Sequence, residues 1–228
     1  MSRNKIVVIH QPDFIPWIGF FDRLIKSDIF VVLDNVQYIR RGWHHRDKIK
    51  TASGSMWLTV PVKKKGRYEQ LINEVEIDYS QNWIRKHLNT LHHNYGQAKY
   101  FSSIFPKIEA VYSKNHQLLI DFNIALIKLI NDFFNIQVEM VLSSSLVCTG
   151  SRTDLLINIV KKAGGESYLS GIGSKSYLLE DRFVDEKIDL LWQDFKHPIY
   201  TQLQGDFIPE LSVLDFLFNC GTELKEYL

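Results

Sequence analysis

Short apolar runs alternate along this chain with polar loops and with stretches of helical periodicity. Residues 5–9 form the first run, which ends abruptly in His10-Gln11-Pro12, and residues 29–33 form the second. A helix-like stretch lies between the two runs, and a strand, helix and strand of this length are typical of a parallel β-α-β unit. Ligands collect beyond the carboxyl ends of parallel strands. The pattern therefore predicts a ligand site that includes His10, Gln11, Asp34 and Gln37.

The rest of the pattern predicts more strands of the same kind around a helical middle. Apolar residues recur at helical spacing over 81–95 and 118–134, and residues 138–142 indicate a buried strand. In the last third, apolar runs at 168–170 and 190–195 indicate two further strands. We predict one α/β domain spanning residues 1–228, in three layers, with a mostly parallel sheet and helices on both faces. The mainly helical stretch from 80 to 135 is inserted in this domain or packed on it.

A glycine-bearing loop follows the strand predicted at 168–170. It contains Gly171, Gly173 and Lys175, and glycines let a backbone approach a phosphate closely. The loop departs from a Walker A sequence because Ser174 stands where the glycine before the lysine is required. A plain turn and a part of the ligand site both remain open as interpretations.

Two further candidates lie at the last predicted strand: Asp194 near its end and His197 just past it. A histidine titrates near neutral pH and can act as a general base or acid. His197 would do so if the fold brings it near His10. A lone loop histidine is more often structural, which is the competing interpretation.

Composition and charge exclude several classes of protein. The chain has 228 residues, of which 45% are hydrophobic and 23% charged, as in globular proteins, and its net charge of +1 gives no reason to expect nucleic acid as a partner. No apolar run approaches the ~20 residues that span a bilayer, and the amino terminus lacks signal-peptide features, so we expect a cytoplasmic protein without a membrane span. Two cysteines and the spacing of the histidines predict neither a disulfide framework nor a metal site.

Charge is concentrated in one segment. Residues 40–67 hold nine lysines and arginines, and Asp47 is the only acid among them. An apolar stretch at 55–60 indicates a strand, so we expect the basic residues on flanking loops. Guanidinium groups offer paired donors that suit phosphate oxygens, and Arg40, Arg41 and Arg46 are therefore predicted to bind a diphosphate. For residues 63–65 a solvated surface loop is the competing interpretation.

Several short motifs of the sequence resemble those of a known family, the WbqC-like proteins, over about residues 5–222. The resemblance rests on the following residues: His10-Gln11-Pro12 with Pro16-Trp17 and Gly19, Ser27-Asp28, Leu33-Asp34, Val36-Gln37, Trp57-Leu58-Thr59-Val60-Pro61, Tyr168-Leu169-Ser170-Gly171, Trp192-Gln193-Asp194-Phe195 with His197-Pro198 and Tyr200, Leu211-Ser212 with Asp215, and Phe218-Asn219-Cys220-Gly221.

The resemblance implies a role in surface-polysaccharide biosynthesis, O-antigen biosynthesis especially. One role proposed for such proteins is the transfer of an acyl or aminoacyl group, such as glycyl, to the amino group of a nucleotide-linked deoxyamino sugar. Amide formation needs an activated acyl group, so the protein would either use ATP or accept an acyl group from a carrier. The start of the chain is similar to HIGH-type nucleotidyltransferases, but Phe20 stands where that signature has its second histidine. In the carrier version His10 or His197 deprotonates the sugar ammonium and Asp34 orients that base.

The competing hypothesis is a non-catalytic protein of the same pathway that binds a nucleotide sugar or a partner enzyme. Trp17 is then one of a set of tryptophans that stack on a sugar, with Trp43, Trp57 and Trp192 as the others. The competing interpretation is that these tryptophans lie in the hydrophobic core, which is more common for tryptophan. Detection of turnover separates the enzyme from the binding protein.

Overall fold

The computed structural model describes residues 4–228, and within them the predicted α/β class is confirmed. The strands are β1 (Ile6–His10), β2 (Ile29–Val32), β3 (Arg46–Thr51), β4 (Gly54–Thr59), β5 (Glu139–Leu142), β6 (Ser167–Ser170) and β7 (Asp189–Trp192). The helices are α1 (Ile18–Ile25), α2 (Trp83–Tyr95), α3 (Phe101–Tyr112), α4 (Leu119–Phe133), α5 (Arg152–Lys162), α6 (Glu180–Asp185) and α7 (Val213–Cys220). Helices α2 to α4 occupy the stretch predicted to be mainly helical.

Contacts between Cα atoms divide the described chain into two compact units, and each is interleaved with the other in sequence. The first unit consists of residues up to 11, 20–35 and 136–196. The second consists of residues 12–19, 36–135 and 197–228. The single domain inferred from the sequence stays a prediction.

A five-stranded parallel sheet is the centre of the first unit. Its strand order is β5-β2-β1-β6-β7, and each neighbouring pair is parallel. Along the chain the sheet grows from β1 to β2 and β5 on one side, then continues with β6 and β7 on the other. The strand order therefore reverses between β1 and β6. In doubly wound sheets, ligands bind outside the carboxyl ends of the strands at such a reversal.

Helices cover both faces of this sheet, which gives the predicted three layers. On one face, β1 and β2 residues such as Val7 and Val31 pack in a core cluster with Val160 of α5 and Phe183 of α6. Phe30 points to the other face, where its ring meets the edge of Phe20 of α1 at 5.5 Å between centroids. Alternate residues of each strand are thus buried on opposite sides, as expected for a sheet covered twice.

The second unit contains an antiparallel hairpin and the helices α2, α3, α4 and α7. Strands β3 and β4 pair from Arg46 opposite Thr59 to Thr51 opposite Gly54. The expectation that the basic residues lie on loops was wrong for Arg46, Lys48 and Lys50, because all three belong to β3. This strand has one large apolar residue, so its hydrophobic pattern carries no strand signal, and pairing with β4 defines it.

A buried polar network ties β3 to α7 within the second unit. Asp215, a residue of the resemblance motif, accepts hydrogen bonds from the hydroxyls of Tyr95 and Tyr200, each at 2.9 Å, and from Nε2 of Gln202 at 2.8 Å. Buried Lys50 donates from Nζ to Oε1 of Gln202 at 2.9 Å and to the backbone oxygen of Asp206. These bonds fix the segment that precedes α7. No helix within residues 4–228 has the length and apolar character needed to cross a bilayer.

Candidate functional site

The carboxyl edge of the parallel sheet collects seven of the predicted site residues, all in the first unit. They end or follow β1, β2, β6 and β7 and are His10, Gln11, Asp34, Gly171, Gly173, Lys175 and Asp194. The other six belong to the second unit and are Trp17, Gln37, Arg40, Arg41, Arg46 and His197.

His10 is the last residue of the central strand, and its side chain is half-buried. Its Nδ1 lies 2.8 Å from the carbonyl oxygen of Gln11, which can only accept, so Nδ1 carries the hydrogen and Nε2 is the acceptor of the neutral ring. The ring meets Phe20 edge-on at 5.3 Å between centroids. In this tautomer Nε2 carries the lone pair of the ring, which is the feature that a general base uses.

Asp34 joins the ends of two strands. Its side chain is 1% exposed, and Oδ1 accepts hydrogen bonds from Oγ of Ser143 at 2.8 Å and from the backbone nitrogen of Ser144 at 2.9 Å. Ser143 begins the turn after β5, so the carboxylate links the ends of β2 and β5. These contacts hold the turn after β5 against the end of β2.

The glycine-bearing loop after β6 forms a short 3-10 turn at Ile172–Ser174. Oγ of Ser174 donates to the carbonyl oxygen of Gly171 at 2.7 Å, which closes the turn on itself. Gly173 has open space around it, and Lys175 is exposed. This geometry favours the plain-turn interpretation over a phosphate-binding loop.

Two charged residues of α1 at this edge were missed in the sequence. Asp22 is fully buried and bonds to Nζ of Lys26 at 2.7 Å and to Nε2 of Gln193 at 2.7 Å. Arg23 is 7% exposed, and a methyl group on Gly171 would lie 3.4 Å from its Nη1. The helix periodicity that predicted α1 gave no signal for either residue, because their neighbours along the sequence are apolar.

His197 and Trp17 share a stacked arrangement in the second unit. Their rings are nearly parallel, at 10°, with centroids 6.2 Å apart. Nε2 of His197 accepts from the backbone nitrogen of Glu210 at 3.1 Å, and Nδ1 lies 2.9 Å from the carbonyl oxygen of Pro198. With both nitrogens bonded, the ring holds its loop in place. Trp17 also accounts for Gly19, a residue of the resemblance motif. A Cβ at position 19 would lie 2.3 Å from the Trp17 indole, so a larger residue does not fit there.

Arg40, Arg46 and Lys64 form what we call the cationic cluster. Nζ of Lys64 lies 3.5 Å from Nε2 of His45, and Nδ1 of His45 lies 2.8 Å from the hydroxyl of Tyr38. Nη2 of Arg40 donates to the backbone oxygen of Lys64 at 3.0 Å, which ties the loop that carries this lysine to the loop after β2.

Backbone bonds also orient the remaining members of this region. Nη2 of Arg46 donates to the carbonyl oxygen of Arg41 at 2.7 Å, while the side chain of Arg41 is exposed. Gln37 is exposed and forms an isolated bridge with Leu71. Of the three arginines predicted to bind phosphate, Arg40 and Arg46 therefore belong to the cluster, and Arg41 contributes its carbonyl oxygen.

No acidic residue neutralises the cationic cluster within residues 4–228. None of the ion pairs there includes Arg40, Arg46 or Lys64, whereas the adjacent Lys63 and Arg67 both pair with Glu76, each at 2.6 Å. Asp47 faces away in a buried position, where burial raises the pKa of its carboxyl well above the ordinary value. The cluster is thus a local excess of positive charge.

The ionisation of the cluster reflects this excess. Burial, together with Arg40 and Arg46, lowers the pKa of Lys64. Burial first, and then the nearby positive charges, lower the pKa of His45 to about 4, so that this histidine is neutral at pH 7. A bound anion would relieve the repulsion among the three cations.

His44, which precedes His45 in sequence, forms an Asp-His pair with Asp13. Nδ1 of His44 is 3.0 Å from Oδ1 of Asp13, and the histidine is 2% exposed. Its Nε2 is buried without a hydrogen-bond partner in the described part of the chain. Sequence reasoning missed this pair, although His44 and His45 stand inside the basic segment. Nowhere in residues 4–228 do three or more potential ligands gather as a metal site would require.

Comparisons with known proteins agree with one another. The sequence model of a family described as the WbqC-like protein family matches residues 11–227. A protein of Mycobacterium tuberculosis, named uncharacterized protein Rv1507c, is 36% identical over 226 residues, which cover 98% of this chain and 97% of that protein. No solved structure matches the chain.

Proposed function

This chain belongs to the WbqC-like protein family, and we propose that it transfers an acyl or aminoacyl group to the amino group of a nucleotide-linked deoxyamino sugar in surface-polysaccharide biosynthesis. The observation that carries the proposal is the cationic cluster. Three cations without an acidic partner among residues 4–228 match the charge of a diphosphate, and two of them are guanidinium groups that can form paired hydrogen bonds with phosphate oxygens.

We assign proton transfer to His10 because its Nε2 is the acceptor nitrogen of the neutral ring. His10 takes a proton from the sugar ammonium, and the amine lone pair then attacks the carbonyl carbon of the activated acyl group. The new C–N bond forms as the bond to the leaving group breaks, and the leaving group departs with its electron pair. The acyl group arrives activated, either as an adenylate made with ATP or on a carrier.

Mass spectrometry and thermal shift together test this proposal. The purified protein is incubated with nucleotide-linked amino sugars, with and without ATP plus glycine, and the mass of the sugar nucleotide is followed. An acyl mass gain that depends on the protein supports the enzyme, and consumption of ATP identifies the donor. If no sugar nucleotide stabilises the protein, the proposal is refuted.

Two variants separate binding from chemistry. His10→Ala is expected to lower product formation by about 10²- to 10⁴-fold, the usual contribution of a general base, while thermal stabilisation by the sugar nucleotide remains. Arg46→Ala is expected to weaken that stabilisation.

A second candidate function is a binding protein of the same pathway. It is favoured by the internal hydrogen bonds that engage Asp34 and both ring nitrogens of His197, two residues predicted as catalytic. Stabilisation without product, with ATP and with carrier-bound donors alike, would identify that function instead.

A further inference from the structure

Large aromatic side chains surround the cationic cluster and are exposed. Trp43 is 47% exposed, Trp57 39% and Tyr68 72%. Most tryptophans are largely buried, and exposed aromatic groups beside cations are typical of surfaces that bind nucleotides. These three residues belong to the second unit, as the cationic cluster does.

The aromatic rings and the guanidinium groups are interleaved. The Cζ atom of Arg46 lies 4.3 Å from the ring centroid of Trp57, and that of Arg40 lies 4.1 Å from the ring of Tyr68. Trp43 contacts Trp57 at 5.3 Å between centroids, with the planes tilted by 45°. The arginines that would hold phosphate are thus positioned by aromatic contacts.

Trp43 is well anchored for an exposed residue. Its carbonyl oxygen accepts a hydrogen bond from the nitrogen of Phe14 at 3.0 Å. The residues that follow it, His44 and His45, are each 2% exposed, so the backbone beneath the indole is fixed by buried neighbours. A rigid, exposed aromatic ring loses little conformational entropy when a flat ligand stacks on it.

We propose that the ligand of the cationic cluster is a nucleoside diphosphate or its sugar conjugate, and that its base stacks on the indole of Trp43. The inference rests on the proposed function and adds to it the subsite for the nucleoside. A base is favoured over a lipid surface because Arg40 and Arg46 lie against rings and bond to backbone oxygens, so that their charges are fixed at one place. A flat base has the π-face that an indole accepts regardless of which base it is.

Titration calorimetry with three probes tests the subsite. The probes are inorganic pyrophosphate, uridine diphosphate and adenosine diphosphate, and the proteins are the full chain, Trp43→Ala, Trp43→Phe and the control Tyr79→Ala. Stacking on an aromatic ring contributes about 1–3 kcal/mol, so the nucleoside diphosphates are expected to bind about 5- to 150-fold more tightly than pyrophosphate. Trp43→Ala should abolish this ratio and leave the Kd of pyrophosphate unchanged.

The two further variants make the result specific. Trp43→Phe keeps an aromatic face and should retain most of the ratio, which also guards against misfolding of the alanine variant. Tyr79 is 43% exposed in the same unit and makes neither of the arginine contacts above, so Tyr79→Ala should behave as the unaltered protein.

The outcomes distinguish this inference from the function on which it rests. Equal affinity for pyrophosphate and the nucleoside diphosphates overturns the stacking subsite but leaves the diphosphate site standing. No binding of any probe overturns both. If Trp43→Ala instead reduces binding to vesicles that contain phosphatidylglycerol and leaves the nucleotide ratio intact, the surface meets a membrane and the inference is overturned.

Discussion

Two adjacent lysines provide a sharp test of the cationic cluster. Lys64 lies 3.5 Å from His45 and has no acidic partner in the described chain, whereas Lys63 pairs with Glu76 at 2.6 Å. The substitutions Lys64→Gln and Lys63→Gln remove the same charge at neighbouring positions. We expect only the first to weaken the binding of a diphosphate strongly.

The size of the effect follows from the kind of contact that is lost. A hydrogen bond to a charged group is worth about 1.5–3 kcal/mol, so Lys64→Gln should raise the Kd of pyrophosphate about 10- to 150-fold. Lys63 is half exposed and already paired, and an exposed pair contributes little, so its variant should change the Kd by less than about threefold.

Stability and salt dependence complete the assay. The pKa of Lys64 is lowered by burial and by Arg40 and Arg46, so removal of its charge relieves repulsion and the Tm of the free protein should stay the same or rise. Calorimetry at two salt concentrations should show a weaker salt dependence for Lys64→Gln, because one fewer charge attracts the anion. Equal losses of affinity in the two variants, or a large fall in Tm with Lys64→Gln, would refute the assignment.

Three further predictions concern stability. Burial lowers the pKa of His87 from 6.5 to about 4. The neutral ring therefore contributes up to about 3 kcal/mol to the free energy of unfolding above pH 6.5, and this contribution is lost as pH falls through 4. Urea denaturation of His87→Gln between these pH values should show a smaller loss of stability than the unaltered chain. Asp215→Ala leaves the buried hydroxyls of Tyr95 and Tyr200 without their acceptor and should cost at least about 2 kcal/mol in urea unfolding, while Gln202 keeps its bond to the carbonyl oxygen of Ile208. Burial raises the pKa of Asp215 above 3.8, so the stability that this carboxyl contributes falls as pH rises through the raised pKa, and Asp215→Asn should remove that slope. A Cβ on Gly165 would lie 2.2 Å from the Val7 side chain, so Gly165→Ala should lower the free energy of unfolding by about 1–3 kcal/mol. Gly173 has open space around it, so the control Gly173→Ala should have the Tm of the unaltered chain. Equal Tm values for the two variants would contradict the packing described.

The parts of the fold that are predictable from sequence are those with strong local signals. The apolar runs that became β1, β2 and β6 are buried on both faces, so their composition alone distinguishes them from the surrounding chain. Strand β3 gave no such signal, because its partner β4 and the buried positions of Asp47 and Lys50 define it only in three dimensions.

The candidate site divides in the same way. The positions of His10 and Asp34 at the sheet edge were predictable because His10 ends one apolar strand and Asp34 closely follows another. Lys64 was not, because its place beside His45 depends on a loop that is held by Arg40 through a backbone oxygen. The basic composition of residues 40–67 predicts an anion site, but only the pairing of Glu76 separates the cations that are neutralised from those that are not.

The interleaving of the two units has a consequence for how the protein is made. The central strand β1 pairs with β6 through residues as distant along the chain as Val7 and Tyr168, so translation must pass Tyr168 before this pairing can form. Until then one edge of β1 remains open to other chains, and slow, non-local pairing of this kind exposes a nascent protein to aggregation. Since no single cut separates the units, expression of either one alone would leave its partner segments behind. The protein is therefore expected to depend on folding assistance during translation more than two consecutive domains of the same length would.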